Sequence, residues 1–217
     1  WRVRQRVGMI CFKTTLEPQQ KAFKINMDPA IYGSFAEIGA GQEVARYFFQ
    51  AGATAGTVAR TISAYDMAMS DSLYAERSKS RYVSKDRVTH MLDYEYRFLL
   101  EQLESTKGAG CSFFSFANTI AARSYRRGDR CHGWLGGEFQ SHPKAEPSTL
   151  IIHVNLLDQE NIFQQQAVGI LGVNLIYGCY YSTSLGQSAF LDSLMEGLSS
   201  DRIEIDMITV SGDAFAD

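Results

Sequence analysis

The chain has 217 residues, of which 45% are hydrophobic, 21% charged and 12% aromatic, with a formal net charge of -3. This apolar and aromatic content excludes an intrinsically disordered protein, and 18 glycines with only 4 prolines exclude a collagen-like or low-complexity chain. A chain of this size buries roughly 70% of the surface of its unfolded form, so it needs neither disulfides nor a metal ion to fold. The four cysteines lie far apart without a CxxC pair, which predicts reduced thiols.

Hydrophobic periodicity and turn residues predict the elements in chain order. They predict strands at 8–14 and 22–26, helices at 42–50, 57–73 and 84–104, strands at 111–117, 132–140 and 149–156, helices at 159–181 and 185–198, and a final strand at 202–210. The apolar stripe of the 84–104 helix is broken only by Glu95. The pattern predicts a single α/β domain, with a mixed sheet and packed helices.

The helix near 159–181 is apolar on every side in its second half, which predicts that it is buried. Its longest apolar stretch, 167–181, has only 15 residues and is interrupted by glycines, so we do not expect it to span a membrane. Gly169 and Gly172 permit a close backbone approach, and Asn174 needs a buried partner. Packing inside the domain and packing against a partner subunit both explain this pattern.

Charge is distributed unevenly along the chain. Residues 1–24 carry six basic side chains against one acidic side chain, whereas residues 157–217 carry nine acidic side chains against Arg202. We expect a basic N-terminal arm over 1–26, followed by an α/β domain over 27–217 that is truncated at its C-terminus. The arm could dock on an acidic partner, or the two ends could complement each other within one fold. The start at Trp1 indicates either a removed targeting peptide or a piece of a longer chain.

Two glycines, Gly39 and Gly41, stand just before the predicted 42–50 helix. Free backbone N–H groups at a helix start can hold a phosphate, so both are candidate anion-binding residues. Three features favour a tight turn instead: Val44 stands where a dinucleotide fingerprint has its third glycine, no strong strand precedes the loop, and Glu43 would repel an anion. Glu37 and Glu43 flank the loop and are weak candidates for a metal ion or for proton transfer, with helix capping as the alternative.

Residues 118–134 combine arginines with aromatic side chains. Arg123, Arg126 and Arg127 are the candidate anion-binding residues of this segment, since arginine suits phosphate-bearing ligands. We expect no nucleic acid, because the whole chain is acidic, and an ordinary solvated loop remains the alternative. His132 is a weak catalytic candidate, and its adjacency to Cys131 does not match the ligand spacing of a zinc site.

The last predicted strand places two carboxylates on one face. Glu204 and Asp206 are two residues apart, so they can raise each other's pKa, share a proton or hold a metal ion, and both are weak catalytic candidates. An exposed polar strand face is the alternative. His153 alternates with apolar neighbours, which is typical of a hydrogen-bonded sheet histidine and, less commonly, of a base.

Five strings carry a family resemblance over most of residues 22–212: IYGSFAEIGAGQEVARYFFQAG, TISAYDMAMSDSLY, RYVSKDRVTHMLDYEY, HGWLGGEFQ and QQQAVGILGVNLIYGCYY. They resemble an uncharacterised bacterial and algal family whose members are labelled nicotinate-nucleotide adenylyltransferase or TonB-dependent receptor. The chain has no HxGH-type or ISSTxxR-like motif of the first class, and it is too short and too helical for the barrel of the second. The resemblance therefore assigns no catalytic residue, and it identifies no particular cofactor.

Two functional interpretations remain. The first is a non-catalytic interaction protein, an accessory subunit held peripherally in a larger assembly, such as a photosynthetic complex of a plastid. The charged ends and the absence of a complete catalytic motif favour it. The alternative is a metabolic enzyme that handles a nucleotide or anion through the Gly39–Gly41 loop, the arginine loop, Glu204 and Asp206. The first interpretation implies a plastid location after cleavage of a transit peptide, and otherwise the cytoplasm.

Overall fold

The computed structural model describes residues 16–74, 81–124 and 130–216. The helices in these ranges are α1 (Pro18–Asn26), α2 (Glu43–Ala51), α3 (Met67–Tyr74), α4 (Lys85–Lys107), α5 (Asn161–Tyr181) and α6 (Gln187–Leu194). The strands are β1 (Ile31–Gly39), β2 (Val58–Ser63), β3 (Ser112–Ala121), β4 (His132–Phe139), β5 (Ser148–Leu156) and β6 (Ile203–Ser211). Most of the predicted elements are thus present, and the predicted class, a single α/β domain, is confirmed.

The six strands form one mixed sheet in the order β2-β1-β3-β4-β5-β6. Strand β1 pairs in parallel with both β2 and β3, and the remaining pairs are antiparallel. Helices α1, α2, α5 and α6 cover one face around the larger apolar core, whereas α4 covers the other face over β1, β3 and β4. Because both faces are covered, β1 and β3 are buried along nearly their whole length.

Two predicted elements near the N-terminus are wrong. The strand predicted at 22–26 is the end of α1, and the single helix predicted at 57–73 is divided into β2 and α3. Helix α1 packs in the main core through Ala22 and Ile25, so the last part of the predicted 1–26 arm belongs to the domain. The strand predicted at 8–14 lies outside the described residues.

Strand β1 was not predicted at all, because its sequence IYGSFAEIG mixes glycine and small polar residues with apolar ones. The central position of the strand explains this composition. A Cβ atom at Gly33 would overlap the ring of Phe114 on the neighbouring strand, and Ser34 is completely buried. Packing on both faces therefore selects small residues here, which lowers the apparent strand propensity.

Helix α5 is the long buried helix that the sequence predicts. Its Asn174 accepts a hydrogen bond from Lys21 Nζ (2.6 Å) and donates to the carbonyl oxygens of Leu194 (2.9 Å) and Glu196 (2.7 Å). Lys21 also forms an ion pair with the Glu196 carboxylate at 2.7 Å. The buried partner of Asn174 thus lies inside the domain. In the described ranges, no helix is both long and apolar enough to cross a membrane.

Helix α4 carries one buried acid, which explains the break in its apolar stripe. The completely buried Glu95 accepts two hydrogen bonds from the Arg60 guanidinium, at 2.8 and 3.0 Å, and a third from the Tyr74 hydroxyl at 2.8 Å. Paired and hydrogen-bonded in this way, the carboxylate tolerates burial. It joins α4 to β2 and α3 across the parallel end of the sheet.

The connections around β1 define the position of a crevice. The β1–β2 connection runs through α2 on one face, whereas the chain returns from β2 to β3 through α3 and α4 on the other face. The carboxyl ends of β1 and β3 therefore lie side by side while their connections diverge. In open α/β sheets, ligands bind at such a switch point.

Candidate functional site

A cleft of about 810 Å³ lies at this switch point. Its walls come from four segments: the end of β1, the β2–α3 connection, the end of β3, and the start of α5. The lining residues are Gly39, Ala40, Tyr65, Ile120, Ala121, Ala122, Arg123, Ser124, Gln159, Glu160, Asn161, Ile162 and Gln165. Apolar side chains and a few polar groups thus share the wall, as is typical of small-molecule sites.

Hydrogen bonds fix Arg123 above the start of α5. Its backbone N–H donates to Gln164 Oε1 and its carbonyl oxygen accepts from Asn161 Nδ2, both at 2.8 Å. Its exposed side chain lines the cleft. Helix α5 has 21 residues and no acidic residue in its first turn, and its N-cap Glu160 makes no side-chain capping hydrogen bond. The positive end of the helix dipole therefore adds to the Arg123 charge, whereas the Glu160 carboxylate opposes both.

At the start of α2, a backbone N–H group already donates to a carboxyl group of the protein, that of Glu37. Glu37, only 2% exposed, accepts hydrogen bonds from the Ala45 N–H at 3.4 Å and from Asn118 Nδ2 at 3.5 Å. Burial raises the pKa of Glu37 to about 8, against the lowering effect of these hydrogen bonds. Helix α2 thus directs N–H groups at a carboxyl group of the protein itself.

The two glycines of the predicted phosphate loop have different surroundings. Gly39, at φ 77°, lines the cleft beside Ala40. Gly41 lies against Asn118 instead. Its carbonyl oxygen accepts a hydrogen bond from Asn118 Nδ2 at 2.9 Å, and a Cβ atom at this position would overlap the Asn118 amide. The Asn118 side chain therefore holds the loop in place, and anion binding at these glycines stays a prediction.

Glu43 is the first residue of α2 and follows this loop directly. Glu43 forms an exposed ion pair with Arg46 at 3.4 Å, one helical turn further along α2. In the part of the chain that the structure describes, no group of three or more His, Cys, Asp or Glu side chains is arranged to hold a metal ion. Of the predicted arginines, Arg126 and Arg127 lie outside the described residues.

A second group of polar side chains crosses β4, β5 and β6. The Nδ1 atom of His132 lies 3.0 Å from His153 Nε2, and His153 Nδ1 lies 2.5 Å from Asp206 Oδ1. The sheet register is irregular between His153 and Val154, and Met207 pairs with His153 while Ile205 pairs with Val154. Asp206 is thus the extra residue of a β-bulge, which turns its carboxylate towards His153.

Asn155 joins the two predicted carboxylates. Its Nδ2 atom donates to Asp206 Oδ2 at 2.9 Å and to Glu204 Oε2 at 3.2 Å, while its Oδ1 atom accepts from the Arg130 guanidinium at 3.2 Å. Glu204 and Asp206 therefore face the same asparagine on the same side of the sheet. Partial burial would raise the pKa of Asp206, but the hydrogen bonds from His153 and Asn155 lower it overall.

The predicted site residues thus form two groups at one edge of the sheet. Gly39 and Arg123 line the cleft, with Glu37 beneath the adjoining loop, and His132, Glu204 and Asp206 belong to the chain of polar side chains on β4–β6. The sheet register connects the groups, because His132 pairs directly with Ala121 in the cleft wall.

Several contributors could not be identified from the sequence. Asn118 and Gln164 hold the loop and the Arg123 backbone, and Asn155 bridges the carboxylates. Of these three amides, only Gln164 lies in a segment with a sequence signal, the polar first turn of α5. Amides give no titration or spacing pattern, so only the contacts reveal their roles.

No family model and no curated protein matches the chain. Several solved structures share its fold, including the following three. A competence/damage-inducible protein from Agrobacterium tumefaciens is 14% identical over 73% of this chain and 93% of its own, with a TM-score of 0.54. A competence or damage-inducible protein from Enterobacter asburiae is 12% identical over 74% and 94%, with a TM-score of 0.52. A CinA superfamily protein from Klebsiella pneumoniae is 10% identical over 74% and 93%, with a TM-score of 0.54.

These similarities bear on two interpretations of the sequence. The adenylyltransferase and receptor labels of the resembling family find no support among them. The interpretation as a non-catalytic accessory subunit is wrong, because the solved structures that share the fold are competence/damage-inducible and CinA superfamily proteins. Nothing in the fold supports a plastid assembly. The chain has a CinA-like α/β fold, with a cleft at the carboxyl ends of its parallel strands.

Proposed function

We propose that the chain is a hydrolase that binds a nucleotide in the cleft at the ends of β1 and β3. The observation that carries the proposal is the position of the cleft. It lies at the topological switch point, with Arg123 and the start of α5 in one wall. An arginine and a helix N-terminus are both well suited to binding phosphate.

Nicotinamide mononucleotide is the compound to test first, because the CinA superfamily has nicotinamide-nucleotide amidohydrolase members. Its phosphate would bind between the Arg123 guanidinium and the first N–H groups of α5. Its pyridine ring would pack against Ile120 and Tyr65, and Tyr65 is 69% exposed without a ligand. The proposed reaction replaces the carboxamide nitrogen by a water oxygen and releases ammonia.

Calorimetric titration with nicotinamide mononucleotide tests the binding step, and ammonia release tests turnover. We expect Arg123→Gln to weaken binding roughly tenfold or more, because a charge-assisted hydrogen bond contributes about 1.5–3 kcal/mol. Arg97→Gln is the matched control, since Arg97 is exposed on α4 and forms an ion pair with Asp93 away from the cleft.

The control should bind the nucleotide as the wild type does. Failure of the wild type to bind nicotinamide mononucleotide at millimolar concentration would overturn the proposal. Equal affinities of wild type and Arg123→Gln would remove Arg123 from the site while leaving another binding position to be found by the same titration.

A further inference from the structure

We propose that His132, His153 and Asp206 form a proton relay in which His132 Nε2 accepts the proton of the water that attacks the ligand in the cleft. The inference rests on the proposed function, since it supplies the base for that hydrolysis. Three contacts carry it: two consecutive hydrogen bonds, of 3.0 and 2.5 Å, and the pairing of His132 with the cleft residue Ala121.

The hydrogen bonds determine which nitrogens carry protons. Asp206 is ionised at neutral pH and can only accept, so His153 Nδ1 must carry the proton of that bond. In a neutral His153 the Nε2 atom is then an acceptor, and His132 Nδ1 must donate to it. A neutral His132 therefore keeps its lone pair on Nε2, which is the atom that a base needs.

Ring contacts surround His153, and the environment of His132 favours its neutral form. The Trp134 and His132 rings lie against the His153 ring, with centroids 4.7 and 5.2 Å away. Burial, then His153, then Arg130 lower the pKa of His132, although Asp206 acts in the opposite direction. Among the described residues, the charged groups at the relay are thus Arg130 and Asp206, with Glu204 reached through Asn155. A base that is neutral at the working pH is ready to accept a proton.

The sheet brings the relay to the edge of the cleft. His132 is the first residue of β4 and lies opposite Ala121, the last residue of β3. Opposite residues of antiparallel strands have Cβ atoms about 4.5–5.5 Å apart, so the Cβ atom of His132 lies next to Ala121 of the cleft wall. Arg123 lies two residues after the end of β3, and His132 begins β4, its antiparallel neighbour.

The chemical steps balance as follows. As the water oxygen bonds to the carboxamide carbon, one water O–H bond breaks and its proton moves to His132 Nε2. Positive charge then spreads through His153 towards the Asp206 carboxylate, which stabilises it. When the carbon–nitrogen bond breaks, His132 returns the proton to the leaving nitrogen, and ammonia departs while the relay regains its starting state.

The first experiment compares turnover of nicotinamide mononucleotide by four proteins. We expect His132→Gln to lower kcat about 10²–10⁴-fold, in the range of general acid–base catalysis, with unchanged nucleotide affinity. Asp206→Asn should lower kcat about tenfold or more and shift the pH–rate profile. The reason is that Asp206 orients the His153 ring and stabilises the positive charge that forms on the relay. His142→Gln is the control, because His142 is exposed in the β4–β5 loop.

The second experiment observes the imidazoles directly. In ¹⁵N-labelled protein, long-range ¹H–¹⁵N spectra at neutral pH should show His132 protonated at Nδ1 and unprotonated at Nε2, and Asp206→Asn should change that pattern. Resting His132 protonated at Nε2 would overturn the relay, as would full kcat in His132→Gln. A wild type that binds and hydrolyses no nucleotide overturns the proposed function, and the catalytic role of the relay with it.

Discussion

Replacement of Glu37 by glutamine tests whether the buried carboxyl group at the start of α2 has a raised pKa in the folded protein. Glu37 is a buried carboxyl group whose ordinary pKa of 4.5 is raised to about 8, chiefly by burial. The native state therefore binds this proton more tightly than the unfolded state, and stability falls as pH rises from about 4.5 to 8. A glutamine has the shape of the protonated acid and does not titrate.

The magnitude follows from the two pKa values. Proton linkage with a native pKa near 8 and an unfolded pKa of 4.5 removes about 3.5 kcal/mol of stability between pH 5 and pH 8. Glu37→Gln should escape this loss. Its amide also supplies an N–H donor beside Asn118, whose Oδ1 atom is buried with no hydrogen-bond partner among the described residues. We expect the variant to match the wild type at pH 5 and to be more stable by about 3.5 kcal/mol at pH 8.

Urea denaturation at five pH values between 5 and 8 measures this difference directly. Burial also raises the pKa of Glu138, to about 7, but that contribution is present in both proteins and cancels in the comparison. Glu101→Gln, which removes an exposed carboxylate on α4, is the control. Parallel pH curves for wild type and Glu37→Gln would refute the reasoning, because they would mean that Glu37 does not titrate within the folded protein in this range.

Two further substitutions test the packing that positions the site. Gly172→Ala should destabilise the fold by about 1–3 kcal/mol, since its Cβ atom would overlap Val44 where α5 crosses α2; Gly110→Ala, in open space, is the thermal-melting control. Glu95→Ala should cost about 3–5 kcal/mol, because the Arg60 cation would lose its buried partner. Chemical denaturation measures this loss, and a change below 1 kcal/mol would contradict the role assigned to the carboxylate.

Much of the fold was accessible from the sequence, and the exceptions share a cause. The long helices α4 and α5 and the strands β4–β6 follow patterns that a single chain segment displays by itself. Strand β1 does not follow such a pattern. Its small residues are required by contacts with the neighbouring strand, where the Phe114 ring leaves no room for a side chain at Gly33. Because the sequence does not predict β1, it shows no strand before the glycine loop, and the switch point between β1 and β3 cannot be predicted either.

The candidate site was less accessible, because sequence spacing does not describe contacts across strands. The i, i+2 spacing of Glu204 and Asp206 correctly placed them on one face, yet the bulge that directs Asp206 to His153 depends on the pairing of β6 with β5. His153 was recognised as a hydrogen-bonded sheet histidine, and only its register with β4 and β6 reveals two partners.

The two helix starts at this edge of the sheet differ in whether their N–H groups are already paired with a carboxyl group of the protein. At α2 the buried Glu37 accepts from the backbone, so an anion would meet a filled position. At α5 the Gln164 and Asn161 side chains hold the Arg123 backbone instead, and the first turn contains no acidic residue. Under the proposed function, an incoming phosphate would therefore meet its donors at α5. Because β4 leaves the same edge beside Ala121, a ligand held there would lie next to the relay that begins at His132.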